Sequence, residues 1–413
     1  MRSRFSLCRA WLGITGLLWR LWLQLQGLHP VERHAVATYD FILCCRLTSH
    51  GADAMVAERR GVLFPFFGLA AIALAFSADA QLPTVSAREQ MLTLLERAAL
   101  HRDHVDWRGL RRDLANTPDP QRQRVLLDDA IRRATAGHGR WLSADEVDSR
   151  SKRVSVLQQG TASSSEPVVA STTVTLDPRL GMIGVGPYLT DRRLSEAQQS
   201  AGGRQWALNL QAAIRRQDDG SRCGWILDLR QNSGGNMWPM LLGAGPLLHG
   251  SVEESTPVGY FSDGRNTQPW YYRNGTVGAG HQVHVALGAE GYVLKRPGSP
   301  VAVLQSGRTA SSGEAIVLAL RGRRNSRSFG FPTAGYSTGN NPVTLVDGSL
   351  LVLTGTVMKD RNGMGDGARI FPNMPSRDDE DMERAARQWL LAQPACTGRR
   401  EAAVAPLPIN VSR

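Results

Sequence analysis

Two short apolar runs in the second half of the chain are each followed by a turn of small residues and then by a helical pattern. The first run covers residues 225–229 and precedes a predicted helix at 237–248. The second covers residues 301–304 and precedes a predicted helix at 313–321. Continuous short apolar runs are typical of strands in a parallel sheet that helices cover on both faces. The chain is therefore expected to contain an α/β core with a buried sheet.

Other patterns outline the rest of that region. They predict a strand at 182–185, a helix at 207–216, a hairpin at 343–357 around Asp347 and Gly348, and a helical region at 87–136. Residues 150–175 are rich in Ser, Thr, Gln and Val, which is consistent with exposed strands or a loose connector.

The first 80 residues differ from the rest of the chain. Met55 is followed by Glu58-Arg59-Arg60, an apolar run at 61–76 and a small-residue end at 77–80, which together have the form of a secretory signal peptide. The simplest interpretation is that translation begins at Met55, that residues 1–54 come from an over-extended reading frame, and that cleavage precedes Gln81. A genuine N-terminal extension is one alternative. The other is a membrane anchor formed by residues 61–78 if they are not cleaved.

The net charge is +11, but the basic residues are scattered and form no run of five. This distribution is typical of a solvated basic surface, so we expect no nucleic-acid partner. After the signal peptide only Cys223 and Cys396 remain, and export would permit either a disulfide or two free thiols.

Residues 309–315, Thr-Ala-Ser-Ser-Gly-Glu-Ala, place Ser311 just before a predicted helix. Unpaired N–H groups and the positive end of the helix dipole suit a nucleophile whose attack creates an oxyanion. The same pattern is also an ordinary capping box between Ser311 and Glu314, so the motif alone leaves both interpretations open.

Three segments in order carry more information than any one of them. They are Asp-Leu-Arg-Gln-Asn-Ser-Gly-Gly at 228–235, Arg-Thr-Ala-Ser-Ser-Gly-Glu at 308–314 and Gly-Phe-Pro-Thr-Ala-Gly at 330–335. Together they resemble the C-terminal processing (tail-specific) serine peptidase family, which includes the tricorn core protease and the retinoid-binding interphotoreceptor repeats. The resemblance covers roughly residues 90–375. It implies a crotonase-like (ClpP-like) α/β core with a small helical N-terminal region.

The resemblance also implies site residues. Ser311 would be the nucleophile, and the N–H groups of Gly234 or Gly235 and of Ser312 would form the oxyanion hole. The family's Ser–Lys branch has a lysine directly after the last glycine of the third segment, whereas Tyr336 stands there in this chain. None of the three lysines, Lys152, Lys295 and Lys359, fits that place.

The tricorn-like branch instead takes its base from a histidine after a helix in the N-terminal region. His138, which follows the helical pattern at 126–136, resembles that base. Asp360 would be the acidic residue that orients its imidazole, although the branch usually has Glu there. An unperturbed histidine would give kcat/KM a rising limb in the region of about pH 6–7.5.

Only about 45 residues separate His138 from the strand at 182, too few for the PDZ domain that many members of the family carry. Tail-specific recognition is therefore not implied. We expect an exported serine-type peptidase, periplasmic or extracellular, that hydrolyses peptide bonds of peptides or proteins through an acyl-enzyme on Ser311. No metal or cofactor is expected, and the oligomeric state is left open. The alternative is a non-catalytic ligand- or peptide-binding protein on the same fold; the presence of Ser311, His138 and the Gly-Gly turn favours the enzyme.

The expected organisation follows these segments. It comprises a spurious or extended N-terminus at 1–54, a signal peptide at 55–80, a helical region at 81–150, a connector at 151–180, the α/β peptidase core at 181–375, and a C-terminal helix and tail at 376–413.

Overall fold

The computed structural model describes residues 81–162, 176–249, 256–273 and 275–398, all of which belong to one compact unit. The N-terminal extension at 1–54 and the signal peptide at 55–80 lie outside the described residues. None of the helices in the described ranges combines the length and the apolar character that a membrane crossing requires.

The N-terminal region is helical, as the sequence predicts, and its α-helices are α1 at Val85–Ala98, α2 at Trp107–Asn116 and α3 at Pro120–Ala134. The side chains of Asp106 and Asp119 accept hydrogen bonds from backbone N–H groups at the starts of α2 and α3, which would otherwise have no partner. The apolar faces of the three helices share one buried cluster with Leu351 and Leu353. The helical region is thus packed on a strand of the core.

Strand β1 (Arg140–Leu142) and helix α4 (Ala144–Ala162) follow. The expectation of exposed strands or a loose connector from residue 150 is wrong as far as residue 162, because α4 continues to that point. The buried residues Ser151 and Val154 lie three positions apart on one helical face. This spacing gives little helical signal in the sequence, because the segment is rich in Ser, Thr and Gln. Residues 163–175 lie outside the described ranges.

The predicted α/β core is present. Its five strands are all parallel, in the order β12 (Met374–Pro375), β9 (Ser326–Gly330), β8 (Val301–Gln305), β3 (Gly224–Asp228) and β2 (Leu180–Gly184). Alternate side chains of these strands enter two different buried clusters. One contains residues of α5 (Glu196–Gln217), α6 (Met237–Leu248) and α7 (Ser312–Leu320), and the other contains residues of α8 (Asp379–Leu391). The sheet is therefore covered on both faces.

A second, antiparallel sheet carries elements that the sequence only partly predicts. The hairpin of β10 (Thr338–Thr344) and β11 (Leu350–Lys359) is confirmed. Strands β4 (Gly259–Ser262), β5 (Thr267–Arg273), β6 (Thr276–Ala279) and β7 (Gln282–Ala286) form a meander without a predicted counterpart. One end of β11 pairs with β1 and the other with β4, so this strand joins the N-terminal region to the core.

Cys223, just before β3, and Cys396, in the short helix α9 (Pro394–Thr397), form a disulfide. Of the two alternatives left open by the sequence, the structure shows the disulfide.

Candidate active site

Ser311 stands between β8 and α7 in a backbone conformation that non-glycine residues rarely adopt, with φ of 52° and ψ of −115°. Such a conformation persists only where surrounding contacts hold it, and it is often found at functional sites. The Ser311 N–H donates to Glu314 Oε2 at 2.7 Å, which is one such contact.

Glu314 holds the turn that contains Ser311 to the segment that precedes β10. It is fully buried, and its carboxylate accepts from three backbone N–H groups, those of Ser311, Gly335 and Tyr336, and from the Thr333 hydroxyl. Burial raises the pKa of Glu314, while the four hydrogen bonds favour its charged form and oppose that effect. Glu314 therefore has a structural role at the start of α7, where it ties Ser311 to Thr333, Gly335 and Tyr336.

The Gly-Gly turn passes directly against Ser311. A Cβ atom added to Gly234 would lie 2.9 Å from Ser311 Cβ and 3.2 Å from the Ser312 nitrogen, and φ at Gly234 is +100°. Both facts require glycine here. The Ser312 hydroxyl also donates to the Gly235 carbonyl at 2.6 Å, which fixes the turn to the start of α7.

The three predicted oxyanion-hole residues differ in what their N–H groups do. The Gly234 N–H donates to Asn232 Oδ1 at 3.0 Å, so it is already used. The N–H groups of Gly235 and Ser312 have no acceptor among the described residues. The N–H groups of Gly235 and Ser312 are therefore free to bind an anion, whereas Gly234 allows the turn to lie close to Ser311.

His138 lies in the turn after α3, half-buried, with its Nδ1 2.6 Å from Thr338 Oγ1 and its ring 4.9 Å from the ring of Tyr336. Burial, and secondarily the positive charge of Arg140, lower the pKa of His138 to about 4. The imidazole is therefore neutral at pH 7 and can accept a proton.

Tyr336 connects the two halves of the site. Its N–H and the Ser311 N–H both donate to the same oxygen of Glu314, while its ring packs against His138. Through Tyr336, His138 of the N-terminal region is thus connected to the turn that contains Ser311.

Asp360 is not brought to His138. Its carboxylate accepts from the N–H groups of Asn362 and Met364 and lies 3.9 Å from Arg321 Nε. Arg321 follows the C-terminal end of α7, whereas Ser311 precedes its N-terminal end, about 13 Å away along the helix. The expectation that Asp360 orients the imidazole is therefore corrected, because the atom next to Nδ1 is the hydroxyl of Thr338.

Sequence reasoning missed Thr338 and Asn232. Thr338 is the first residue of β10, and no local motif distinguishes it. Asn232 is fully buried, accepts at Oδ1 from Gly234 and donates to the carbonyls of Val185 and Gly186 at 3.1 Å. An asparagine just before the Gly-Gly turn was the only available signal. In the described ranges no group of three or more His, Cys, Asp or Glu side chains could hold a metal ion.

Comparison with known proteins gives the following likenesses. The model of peptidase family S41 matches residues 193–375. The nisin-resistance protein of Lactococcus lactis subsp. lactis is 32% identical over 170 residues, which are 41% of this chain and 50% of that protein. The alignment thus spans about half the length of that curated relative.

Two solved structures are also similar. A lipoprotein from Streptococcus agalactiae superposes with a TM-score of 0.54 at 22% identity, covering 75% of this chain and 97% of that one. This likeness shows the fold. The photosystem II D1 C-terminal processing protease superposes with a TM-score of 0.41 at 15% identity, covering 74% of this chain and 98% of that one.

Proposed function

We propose that the chain is a serine-type peptidase with Ser311 as nucleophile and His138 as general base, a function supported by the match of the peptidase family S41 model to residues 193–375. One observation carries the assignment. A serine held at positive φ at the start of a buried helix shares a site with a half-buried histidine whose pKa is about 4.

In the proposed reaction Ser311 Oγ forms a bond to the scissile carbonyl carbon as its proton moves to His138 Nε2. Nε2 is the nitrogen left for this role, because Nδ1 pairs with Thr338. The C–N bond then breaks and the amine leaves with the proton from His138. Water next attacks the acyl-enzyme while His138 takes its proton and returns one to Ser311 Oγ, and the carboxylic acid is released.

The negative charge of each tetrahedral intermediate would fall on the former carbonyl oxygen. The N–H groups of Gly235 and Ser312 are the donors for it. Ser312 also opens α7, so its N–H adds the positive end of the helix dipole. Losing one such donor typically costs about 10²–10³ in kcat, so this pair is a large part of the proposed rate enhancement.

Export is part of the proposal. The signal-peptide pattern at 55–80 and the Cys223–Cys396 disulfide support it, since disulfides persist in oxidising compartments. The names of the relatives, a lipoprotein and a nisin-resistance protein, point toward the cell envelope. N-terminal sequencing of protein from an exporting host should find a start at or near Gln81.

Labelling with a fluorophosphonate serine probe tests the assignment. Wild type should be labelled, Ser311→Ala should not, and His138→Gln should react at least about 100-fold more slowly, because the serine loses its base. Lys359→Ala is the control and should keep wild-type labelling within about twofold, since this lysine is outside the site.

Two results would contradict the proposal. Loss of labelling in Lys359→Ala with full labelling in His138→Gln would indicate a Ser–Lys enzyme. A folded wild type without labelling or peptide cleavage would favour the non-catalytic binding protein. Circular dichroism on each variant separates these outcomes from loss of fold.

A further inference from the structure

Three aromatic side chains from three different elements meet near the Gly-Gly turn. Trp238 is in the first turn of α6, Phe261 is in β4 and His284 is in β7. The His284 ring stacks on the Trp238 ring, with centroids 4.0 Å apart and planes 14° from parallel. The Phe261 ring meets Trp238 edge to face, with centroids 6.4 Å apart at 77°. All three residues are half-buried, so part of each faces solvent, and together they form the aromatic cluster.

The inner side of the aromatic cluster is anchored in the core. Phe261 packs on the fully buried Trp270, with ring centroids 4.9 Å apart. Trp238 and Phe261 both pack against the buried cluster that α6 and α7 share. The rings are thus held in place before any ligand arrives, which reduces the entropy that binding would cost.

Trp238 is fixed close to the proposed oxyanion hole. Its N–H donates to Asn236 Oδ1 at 3.1 Å, and the Asn236 N–H donates to the Tyr188 carbonyl at 2.7 Å. Trp238 is three positions after Gly235, so their Cα atoms are at most about 11 Å apart. Leu189, which is 45% exposed, adds another apolar group, because a Cβ atom on Gly235 would lie 3.2 Å from its Cδ2.

The Phe261 ring lies next to the strand that contacts His138. A Cβ atom added to Gly339 would lie 2.9 Å from Phe261 Cδ1 and Cε1. Gly339 follows Thr338, whose hydroxyl is 2.6 Å from His138 Nδ1. Successive residues of a strand face opposite sides of the sheet. His138 and the aromatic cluster therefore lie on opposite sides of the start of β10.

Ser311 is connected to both groups. The Gly-Gly turn that leads to Trp238 contacts Ser311, and Tyr336 connects the Ser311 turn to His138. A peptide with its scissile bond at Ser311 would thus have the proposed base on one side and the aromatic cluster on the other. An extended chain advances about 3.3 Å per residue, so the cluster is within reach of a side chain about three positions or fewer from that bond.

We propose that the aromatic cluster is a subsite for an aromatic side chain of the peptide substrate. The inference rests on the proposed function and deepens it by naming a substrate group. Contiguous apolar groups that remain exposed beside a site mark places where ligands bind. An aliphatic side chain would gain only burial there. An aromatic ring would also gain the edge-to-face or offset-stacked pairing that the open parts of Trp238 and His284 offer.

The test is peptide capture by the full chain carrying Ser311→Ala, so that nothing is cleaved. A random octapeptide pool is passed over the immobilised protein, and bound peptides are sequenced by mass spectrometry. Peptides with Phe, Tyr or Trp should be retained about 10-fold or more over peptides with Ala or Ser, the discrimination that filling an apolar pocket gives. Wild type on the same pool should cut at one fixed position, about three residues or fewer from the aromatic residue.

Two test variants and two matched controls complete the experiment. Trp238→Leu removes the central ring but keeps apolar bulk, and His284→Glu places a carboxylate against the negative face of that ring. Each should lower the aromatic enrichment at least about fivefold. Trp389→Leu changes a half-buried tryptophan that pairs with Phe329 on the other face of the parallel sheet, and His281→Glu makes the same charge change at an exposed position just before β7. Both controls should keep the enrichment within about twofold.

The outcomes that would overturn the subsite are defined in advance. They are no capture, capture without aromatic enrichment, enrichment that survives either test variant in folded form, and equal loss in the controls. Circular dichroism checks the fold of each variant. Should Trp238→Leu fail to fold, His284→Glu decides alone, because position 284 is half-buried in β7, the strand at the end of its sheet.

The two proposals fail separately. A wild type that labels and cleaves without an aromatic preference removes only the subsite. Capture of aromatic peptides that depends on Trp238, by a protein that neither labels nor cleaves, leaves the aromatic site and removes the hydrolase.

Discussion

His138 differs from an ordinary surface histidine in both its surroundings and its partner. It is half-buried, has a guanidinium nearby, and pairs at Nδ1 with the hydroxyl of Thr338 where a catalytic histidine often has a carboxylate. Burial and the guanidinium disfavour the imidazolium, and a neutral hydroxyl stabilises it less than a carboxylate would. If His138 is the proposed base, it therefore stays neutral from mild acid upward, at the expense of basicity.

The acid limb of kcat/KM should consequently lie near pH 4, the pKa of His138, and below the value of about 6–7.5 expected for an unperturbed histidine. The sign follows from the proton: only neutral imidazole accepts one, so a lower pKa extends activity to lower pH. Initial rates from pH 3.5 to 8 on one peptide substrate measure the limb, with refolding at pH 7 as the check on denaturation. Thr338→Asp should move the limb upward, since a carboxylate favours imidazolium. A wild-type limb at pH 6–7.5 would mean that burial and Arg140 do not act as described.

The β10–β11 hairpin determines that Thr338, and not Asp360, contacts His138. Its register places Thr338 opposite Val357, and the chain then runs on through Lys359 to Asp360. Asp360 is 3% exposed, and its Oδ1 accepts from the N–H groups of Asn362 and Met364. The hairpin thus supplies Thr338 of β10 as the partner of His138, while the carboxylate of Asp360, just after β11, stabilises a turn.

Asp360→Asn should therefore leave kcat/KM within about threefold of wild type and leave the acid limb in place, at a cost of about 1 kcal/mol in the free energy of unfolding. The loss is small because an asparagine Oδ1 can still accept both N–H bonds. Urea unfolding and a pH–rate profile measure the two quantities.

Thr338→Ala is the comparison, and it should lower kcat by about 10-fold or more, with partial rescue by Thr338→Ser. A large loss in Asp360→Asn beside an active Thr338→Ala would restore Asp360 as the orienting group.

At the scale of the whole molecule, the disulfide fastens the C-terminal helices to the sheet. Cys223 begins the segment that enters β3, and Cys396 follows α8, the helix whose Met382, Ala386 and Leu390 belong to the buried cluster on the second face of the sheet. The two cysteines are 173 residues apart. Closing so long a loop removes much conformational freedom from the unfolded chain.

Cys396→Ser should lower the free energy of unfolding by about 3–5 kcal/mol, the range for disulfides that close long loops. Denaturant unfolding with and without reductant measures it. Reductant should bring wild type to the stability of the variant and leave the variant itself unchanged. Equal stability of wild type and Cys396→Ser under oxidising conditions would contradict the expectation. The site should keep its function in the folded variant, because neither cysteine contacts it.

The sequence by itself determined the buried strands, the helix α6 and the glycine turn, because each depends on residues that are close together in the chain. Apolar runs 225–229 and 301–304 must be buried, so they form strands of a covered sheet, and α6 has the bounds 237–248 that its pattern predicts. The Gly-Gly turn also follows from the sequence, because its positive φ angles and close backbone approach require glycine.

Only the tertiary structure decided which distant groups meet. Thr338 is 200 residues from His138, and nothing in the sequence around either residue indicates the other. Asp360 had the right chemistry and the right place after a strand, but its oxygens are satisfied by neighbouring N–H groups. The strands β4–β7 gave no clear period, since a partly exposed meander with internal glycines is stabilised mainly by its cross-strand partners. A hydrogen bond or a strand pair between distant segments depends on how the whole chain packs, and that is the information a local pattern lacks.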